Sequence, residues 1–211
     1  MLSGMIGPEA VARRIMEKVA VATLAEDRKA ALLELKEKAR EEPVAVGKVA
    51  IEELCRLLPG LREDGDMARA AIETILACLS PEVGPAVGAD VAAQAAATNS
   101  ALMTQEATAT VLELLEERSW SSRLCILKIF GAIQAVKPAK LQAAILQSPQ
   151  GLARLMDVLA EENEIVRNEA EILKKSRCAL YYYRKSINSE FSEFLPRCSS
   201  FLSTSRTATK S

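Results

Sequence analysis

An internal repeat in the second half of the chain constrains the fold more than any other sequence feature. The segments that begin at Thr110 and Arg154 align without a gap over 21 residues, at a constant offset of 44. The aligned pairs include Val111 with Leu155, Leu112 with Met156, Leu115 with Leu159, Glu117 with Glu161, Arg123 with Arg167, Ile126 with Ala170 and Ile129 with Leu173. A less regular copy is formed by Leu54, Leu58, Arg69, Ile72 and Ile75. Periods of about 40 to 47 residues are typical of armadillo and HEAT repeats.

The rest of the chain also carries apolar residues at helical spacing, in short segments bounded by Pro, Gly, Ser or Asn. These breaks are too frequent for the sustained heptads of a coiled coil. Aromatic residues make up only 4% of the chain, which suits the close stacking of aliphatic helices. We therefore predict an all-α fold: an armadillo/HEAT-like α-solenoid of about four repeats, followed by a C-terminal tail outside the repeat.

The predicted helix boundaries follow local signals. Pro8 opens the first helix, and Thr23 with Glu26 fits a capping box for the second, in which Leu24 faces inward. We expect Glu34 and Lys38 to form an i,i+4 ion pair on this second helix. Pro43 and Gly47 are predicted to interrupt it before a third helix begins.

The domain boundaries follow from changes in composition. Residues 1–175 are predicted to form the repeat domain, with a loop or weakly helical insertion at residues 80–99, where Pro, Gly and Ala dominate. Residues 176–211 hold six of the eight aromatic residues and a net charge of +4, which leaves −5 on the preceding part. This basic, Ser-rich tail does not continue the repeat. An array that stops near residue 175 leaves an aliphatic face uncovered, so we expect a homodimer or aggregation of residues 1–175.

The composition excludes several classes of function. The chain has no histidine, which removes Ser-His, Cys-His and His-metal sites, and its nine glycines form no phosphate-binding motif. A net charge of −1 gives no basic stripe for nucleic acid over the repeat domain. The widely spaced cysteines before residue 175 are predicted to be reduced core thiols. We expect no enzymatic activity, no cofactor and no metal.

Three residues remain as candidate partner contacts: Trp120, Arg123 and Arg167. Trp120 lies in a predicted turn between helices, where an aromatic residue either packs between repeats or anchors a partner. The two arginines occupy the same repeat position, which favours structural bonds to a neighbouring carboxylate or to helix carbonyls over partner contact. The paired carboxylates Glu116-Glu117 and Glu161-Glu162 fit solvated turns rather than an acid/base site.

Three segments resemble the head domain of the general vesicular transport factor family. They are VAVATLAEDRKAALLELKEKAR from Val19 to Arg40, SALMTQEATATVLELLEE from Ser100 to Glu117, and ILQSPQGLARLMDVLAEENEIVRNEAEILK from Ile145 to Lys174. They occur in the same order as in that family, and the third is the most specific. The resemblance covers most of residues 9–175, but the head has many more repeats, and the family's long coiled coil and acidic end are not found in this sequence.

The resemblance implies a peripheral Golgi protein that tethers transport vesicles between the endoplasmic reticulum and the Golgi. The implied partners are Rab-family GTPases, golgins and the SNARE machinery, and the family offers no catalytic residue to carry over. An alternative from another class is a cytosolic armadillo or HEAT adaptor or scaffold that grips an extended peptide. Such adaptors repeat Asn and Trp at one position, whereas here Asn168 aligns with Leu124 and Trp120 with Glu164.

Overall fold

The computed structural model describes residues 7–81, 88–116 and 119–175, and all regular secondary structure in these ranges is helical. The ten α-helices are α1 (Pro8–Val21), α2 (Ala25–Glu41), α3 (Pro43–Leu61), α4 (Gly65–Leu79), α5 (Ala89–Leu102), α6 (Gln105–Glu113), α7 (Trp120–Val136), α8 (Pro138–Gln147), α9 (Gly151–Leu159) and α10 (Glu164–Lys175). A 3₁₀ turn, Leu114–Glu116, follows α6. No helix in the described ranges is both long and apolar enough to span a bilayer. The predicted tail, residues 176–211, lies outside them.

The helices stack in two rows. One row contains α2, α4 and α7, and the other contains α1, α3, α6 and α9, with each helix packed on the next in its row. Helices α5 and α8 pack between successive members of these rows. By the 44-residue offset, α10 corresponds to α7. The described ranges therefore form four stacked helical units, and the predicted all-α solenoid is confirmed.

The core is aliphatic along the whole stack. Leucine and isoleucine side chains of both rows are fully buried, among them Leu32, Leu35, Ile51, Leu54, Leu58, Ile72 and Ile75. Phe130 is the only aromatic residue of the described core. Burying each Leu or Ile side chain contributes about 1.5 to 3 kcal/mol, so most of the stability comes from packing between neighbouring helices.

The predicted start of the second helix is wrong in detail. Leu24, and not Thr23, caps α2, no side chain accepts a hydrogen bond from its first turn, and the Leu24 side chain is exposed. The predicted pair of Glu34 with Lys38 does not form either. Lys18 of α1 binds Glu34 across the helix pair at 3.0 Å, and Lys38 binds Glu41 at 2.9 Å. Glu34 thus pairs with the neighbouring helix and Lys38 with another residue of its own helix, in place of the i,i+4 pair, which is worth only about 0.2 to 0.5 kcal/mol.

The segment predicted to be a loop or weakly helical insertion at residues 80–99 is largely helical where the structure describes it. Residues 89–99 belong to α5, which packs against α3, α4 and α7. Its periodic signal is weak because its buried side, Ala92, Ala95, Asn99 and Ser100, consists of small or polar residues. Residues 82–87 lie outside the described ranges. The predicted break at Gly47 is also wrong, because α3 begins at Pro43 and continues through Gly47.

Gly47 and Asn99 lie against each other. Asn99 is fully buried, and its Nδ2 donates hydrogen bonds to the Pro43 carbonyl at 3.1 Å and to the Cys78 carbonyl at 2.7 Å. One side chain thereby joins the start of α3, the end of α4 and the last turn of α5. A Cβ atom at Gly47 would lie 1.6 Å from Asn99 Oδ1, so only glycine leaves room for the amide. Gly47 is present for this close approach and not to end a helix.

Replacing Gly47 by Ala should destabilise the fold. The new methyl group would displace the Asn99 amide from two buried carbonyls, and we expect a loss of about 2 to 3 kcal/mol in the free energy of unfolding. Gly131→Ala is the matched control, because Gly131 also lies inside a helix but has open space around its Cβ direction. It should stabilise the fold by about 0.5 to 1 kcal/mol. Chemical denaturation of both variants checks this, and equal changes would contradict the proposed role of Asn99.

Candidate partner-binding surface

Arginine occupies the fourth position of three corresponding helices: Arg28 in α2, Arg123 in α7 and Arg167 in α10. Arg28 Nη2 donates to the Ala22 carbonyl at 2.6 Å, and Arg167 Nη1 donates to the Glu161 carbonyl at 2.9 Å. Each guanidinium thus reaches six residues back, to the chain that leaves the preceding helix. Carbonyls at a helix C-terminus carry partial negative charge and lack intrahelical donors, so a cation stabilises them.

Arg123 makes a different bond at the equivalent position. Its Nη1 forms an ion pair with the carboxylate of Glu161, in the turn of the following repeat, and both side chains are only about one-fifth exposed. Glu161 is thus bound at its carboxylate by Arg123 and at its carbonyl by Arg167. These contacts agree with the structural roles that the sequence favoured for both arginines.

Ion pairs between repeats recur at nearly constant sequence separation. Lys29 with Asp66 and Lys36 with Glu73 are separated by 37 residues, Arg123 with Glu161 and Arg154 with Glu116 by 38, and Lys48 with Glu9 by 39. The more exposed members of this set, Lys29 with Asp66 and Lys48 with Glu9, contribute little individually. The common spacing of all the pairs shows that one repeat offers charges at positions that match the next.

Glu73 lies between a lysine and an arginine, and its side chain is only 24% exposed. Burial alone would raise the pKa of its carboxyl, but hydrogen bonds from Arg69 at 2.8 Å and Lys36 at 3.0 Å outweigh burial and lower the pKa. The Arg154 guanidinium similarly lowers the pKa of Glu116. Both carboxylates are therefore held ionised, which is the opposite of what a general acid requires.

The cysteine thiols and the paired carboxylates are the other side chains that could take part in chemistry. Burial raises the pKa of the Cys55 and Cys78 thiols to about 12, so neither is a ready nucleophile, and Cys125 is a half-buried free thiol. No three potential metal ligands come together in the part of the chain that the structure describes. Glu116 and Glu161 of the paired carboxylates are bound by arginines, and Glu117 lies outside the described residues.

Trp120 differs from the two arginines because it is the first residue of α7, not part of a turn, and is 49% exposed. Arg123 lies one helical turn further on the same side of α7. Arg123 lines an open cleft of about 270 Å³. The other residues of the cleft are Leu115, Glu116, Gln150, Ala153, Arg154, Asp157 and Val158. An exposed Trp one helical turn from a cleft that holds two arginines has the composition of an interface hot spot.

The cleft contains residues that sequence reasoning missed. Gln150 has φ 82°, in the left-handed region that residues other than glycine rarely adopt, and it precedes α9. The next residue, Gly151, has no room for a side chain, because a Cβ atom there would lie 2.7 Å from Leu112 Cδ2. Arg154 could have been found from the sequence only through its spacing from Glu116, since it aligns with Thr110, which carries no charge.

The chain is similar to known proteins over most of its length, although no family model matches it. It is 35% identical over 166 residues to "Golgin candidate 6" of Arabidopsis thaliana and 30% identical over 166 residues to "General vesicular transport factor p115" of Homo sapiens. Both alignments cover 76% of this chain but only 18% and 17% of the relatives, so the chain spans less than a fifth of their length.

Solved structures support the same fold. The crystal structure of Uso1-2 matches with a TM-score of 0.69 at 21% identity, over 82% of this chain and 29% of that chain. The structure of Uso1-1 matches with a TM-score of 0.67 over 79% of this chain and 29% of that chain. The resemblance predicted from the three sequence segments is therefore confirmed.

Removing Arg167 should destabilise the last repeat. Arg167→Ala leaves the Glu161 carbonyl without its charged donor, and we expect a loss of about 1 to 2 kcal/mol in the free energy of unfolding. The matched control is Arg14→Ala at an exposed position of α1, which should change stability by less than about 0.5 kcal/mol. Urea titrations of both variants measure the difference. An unchanged free energy of unfolding for Arg167→Ala would show that the bond to Glu161 does not stabilise the fold.

The pH dependence of stability should report the ion pairs of Glu73. Because its pKa is lower in the folded chain than its ordinary value of 4.5, its contribution is present above pH 4.5 and is lost as the pH falls through the folded pKa. Glu73→Gln should therefore cost about 1 kcal/mol near neutral pH, and this cost should shrink on acidification. Glu17→Gln, at an exposed position of α1, is the control. A cost that did not change between neutral and acidic pH would contradict this assignment.

Proposed function

Because this chain is homologous to general vesicular transport factors over most of its described length, we propose that it is a protein-interaction module of a vesicle tether. It would act in transport from the endoplasmic reticulum to the Golgi and within the Golgi. The observation that carries the proposal is the 35% and 30% identity to a golgin candidate and to p115 over 166 residues. The stacked helices support it, since an elongated solenoid offers an extended surface for proteins.

The module has no enzymatic role in this proposal. The ionised, arginine-bound carboxylates and the high pKa of the two buried thiols support a binding function. Its partners are Rab-family GTPases, golgins and components of the SNARE machinery, and it associates with Golgi and vesicle membranes through these proteins. It needs no cofactor, metal or nucleic acid.

The partner contact is centred on Trp120. This side chain offers a large apolar surface that half faces solvent, and Trp is the residue most enriched where truncation weakens binding. Arg123 and Arg167 contribute indirectly, because their guanidinium groups hold the Glu161 turn in place beside the cleft. Their substitution should therefore alter both stability and binding, whereas substitution of Trp120 should alter binding alone.

A pull-down with Rab proteins loaded with GTP or GDP tests the proposal. We expect the full chain to retain a GTP-loaded Rab in preference to the GDP-loaded form. Capture that ignores the nucleotide state, or no capture of any Rab, would favour the adaptor or scaffold alternative outside membrane traffic.

Trp120→Ala should weaken Rab capture at least tenfold, which corresponds to about 1.4 kcal/mol. Its unfolding midpoint should stay close to that of the parent chain because the side chain is half exposed. Leu146→Ala is the matched control, since Leu146 is 52% exposed on α8 and does not line the cleft. Titration calorimetry with both variants measures the affinities. Equal affinities for Trp120→Ala and the parent chain would remove Trp120 from the contact.

A further inference from the structure

The two arginines of the cleft are already bound within the chain. Arg154 Nε lies 2.7 Å from Glu116 Oε1, and Arg123 forms its ion pair with Glu161. Glu116 is held ionised, because the Arg154 guanidinium lowers the pKa of its carboxyl. A carboxylate or phosphate of a partner would therefore have to replace a carboxylate that each arginine already binds.

The pair of Arg123 with Glu161 is the harder one to open. The two side chains are only 21% and 19% exposed, and Arg167 holds the Glu161 carbonyl at 2.9 Å in the turn before α10. If Arg123 turned to a partner, Glu161 would stay enclosed without its counterion, which is strongly destabilising. The guanidinium groups of the cleft therefore serve the packing of one repeat on the next rather than the capture of an anion.

Asp157 is the charged residue of the cleft whose side chain is left without a partner. It is exposed, and its carboxylate receives no hydrogen bond or ion pair from any residue that the structure describes. Arg154, three residues earlier on α9, binds Glu116 instead. Around the cleft, three carboxylates, those of Glu116, Asp157 and Glu161, meet two guanidinium groups. One negative charge remains for a partner to neutralise.

The Asp157 carboxylate does not stabilise the helix that carries it. Helix α9 ends at Leu159, so Asp157 lies in its last turn, which contains no basic residue. A negative charge there is repelled by the partial negative charge of the helix C-terminus, and aspartate is among the weaker helix formers. The equivalent residue of the preceding repeat, Glu113, is also acidic, exposed and the last residue of its helix, α6. Two successive repeats thus present a carboxylate where it does not favour the local fold.

The apolar part of the cleft suits a long basic side chain. Leu115 and Val158 are each 3% exposed and form an apolar floor with Ala153. The methylene groups of lysine and arginine pack on such a surface while the charged end reaches a carboxylate. Trp120, one helical turn before Arg123 on α7, adds an aromatic surface that attracts ammonium and guanidinium groups.

We propose that the cleft binds a lysine or arginine side chain of the partner protein, with its charged end on the Asp157 carboxylate and its stem on the apolar floor. The inference rests on the proposed function, because it names the chemistry of the partner at the surface centred on Trp120. Arg123 and Arg154 hold the walls of the cleft in place, and Asp157 selects the charge of the side chain that enters it. The partner is therefore basic at this contact, although the cleft contains two arginines.

The fluorescence of Trp120 can report binding at this surface, because Trp120 is the single tryptophan of the chain. Two short peptides of equal length serve as probes, one of alternating leucine and arginine and one of alternating leucine and glutamate. In titrations of the full chain, we expect the arginine peptide to bind at least tenfold more tightly than the glutamate peptide. The difference should shrink as the salt concentration rises, since salt screens charges at a surface.

Asp157→Lys should abolish the preference for the arginine peptide, and Asp157→Asn should reduce it. Glu17→Lys is the matched control: it changes the net charge by the same amount at an exposed position of α1 outside the cleft, and should leave the preference intact. Asp157→Lys should not lower the free energy of unfolding, because a basic residue in the last turn of a helix is favourable. Urea titrations separate lost binding from lost folding, and if Asp157→Lys does not fold, Asp157→Asn replaces it with the same expected direction.

Four results would overturn the proposal: no response of Trp120 to the arginine peptide, no preference between the peptides, tighter binding of the glutamate peptide, or a preference that Asp157→Lys and Glu17→Lys change equally. Tighter binding of the glutamate peptide would place an anion on the arginines. The peptide titrations use no Rab protein, so their outcome is separate from that of the Rab pull-down. Equal capture of GTP-loaded Rab by the parent chain and by Asp157→Lys would keep the tethering proposal and remove Asp157 from the contact.

Discussion

Packing of one repeat on the next through aliphatic side chains is the interaction on which the remaining structure depends. A single helical unit of this chain exposes a face of Leu, Ile and Ala that becomes buried only when the neighbouring unit stacks on it. The buried side chains are almost all aliphatic, so helices approach closely, and positions such as Gly47 and Gly151 admit direct contact between backbone and side chain. Stability is therefore distributed along the stack, and a repeat at the end of an array is stabilised by a neighbour on one side only.

The charged residues act within this framework. Arg28 and Arg167 bind carbonyls at turns, while Arg123 and Arg154 bind carboxylates one repeat away. Because these bonds hold carboxylates ionised and occupied, the same residues are poorly suited to acid/base chemistry. The surface offers instead an open cleft lined by Arg123 and Arg154, and the half-exposed Trp120 one helical turn before Arg123 on α7. A solenoid whose carboxylates are paired with lysines and arginines and which exposes an aromatic residue is suited to binding proteins. This agrees with the similarity of the chain to vesicular transport factors.

Much of the fold could be predicted from the sequence, but local pairing could not. The offset of 44 aligns Arg123 with Arg167 and favours bonds to carboxylates or helix carbonyls for both residues. Only the structure shows that both bind Glu161. The predicted Glu34–Lys38 pair failed because Lys18 on the adjacent helix competes for Glu34. Helix α5 was predicted only as a loop or weakly helical insertion because its buried side is built from Ala, Ser and Asn, which give hydropathy no contrast. Asn99 has no local signal at all, since its two hydrogen-bond acceptors lie 56 and 21 residues away in the chain.

The sequence by itself determined the all-helical class, the repeat period and the helix starts at Pro8 and Pro43, because periodic burial and proline act over a few residues. It also excluded chemistry that requires histidine. The tertiary structure decided which charges meet, which glycines are needed for close approach, and which aliphatic residues remain uncovered. Leu112 and Met156 occupy the same repeat position, yet only Leu112 is buried. The physical reason is that burial in a solenoid depends on packing by the neighbouring repeat. The residue type and the local sequence pattern do not specify that packing.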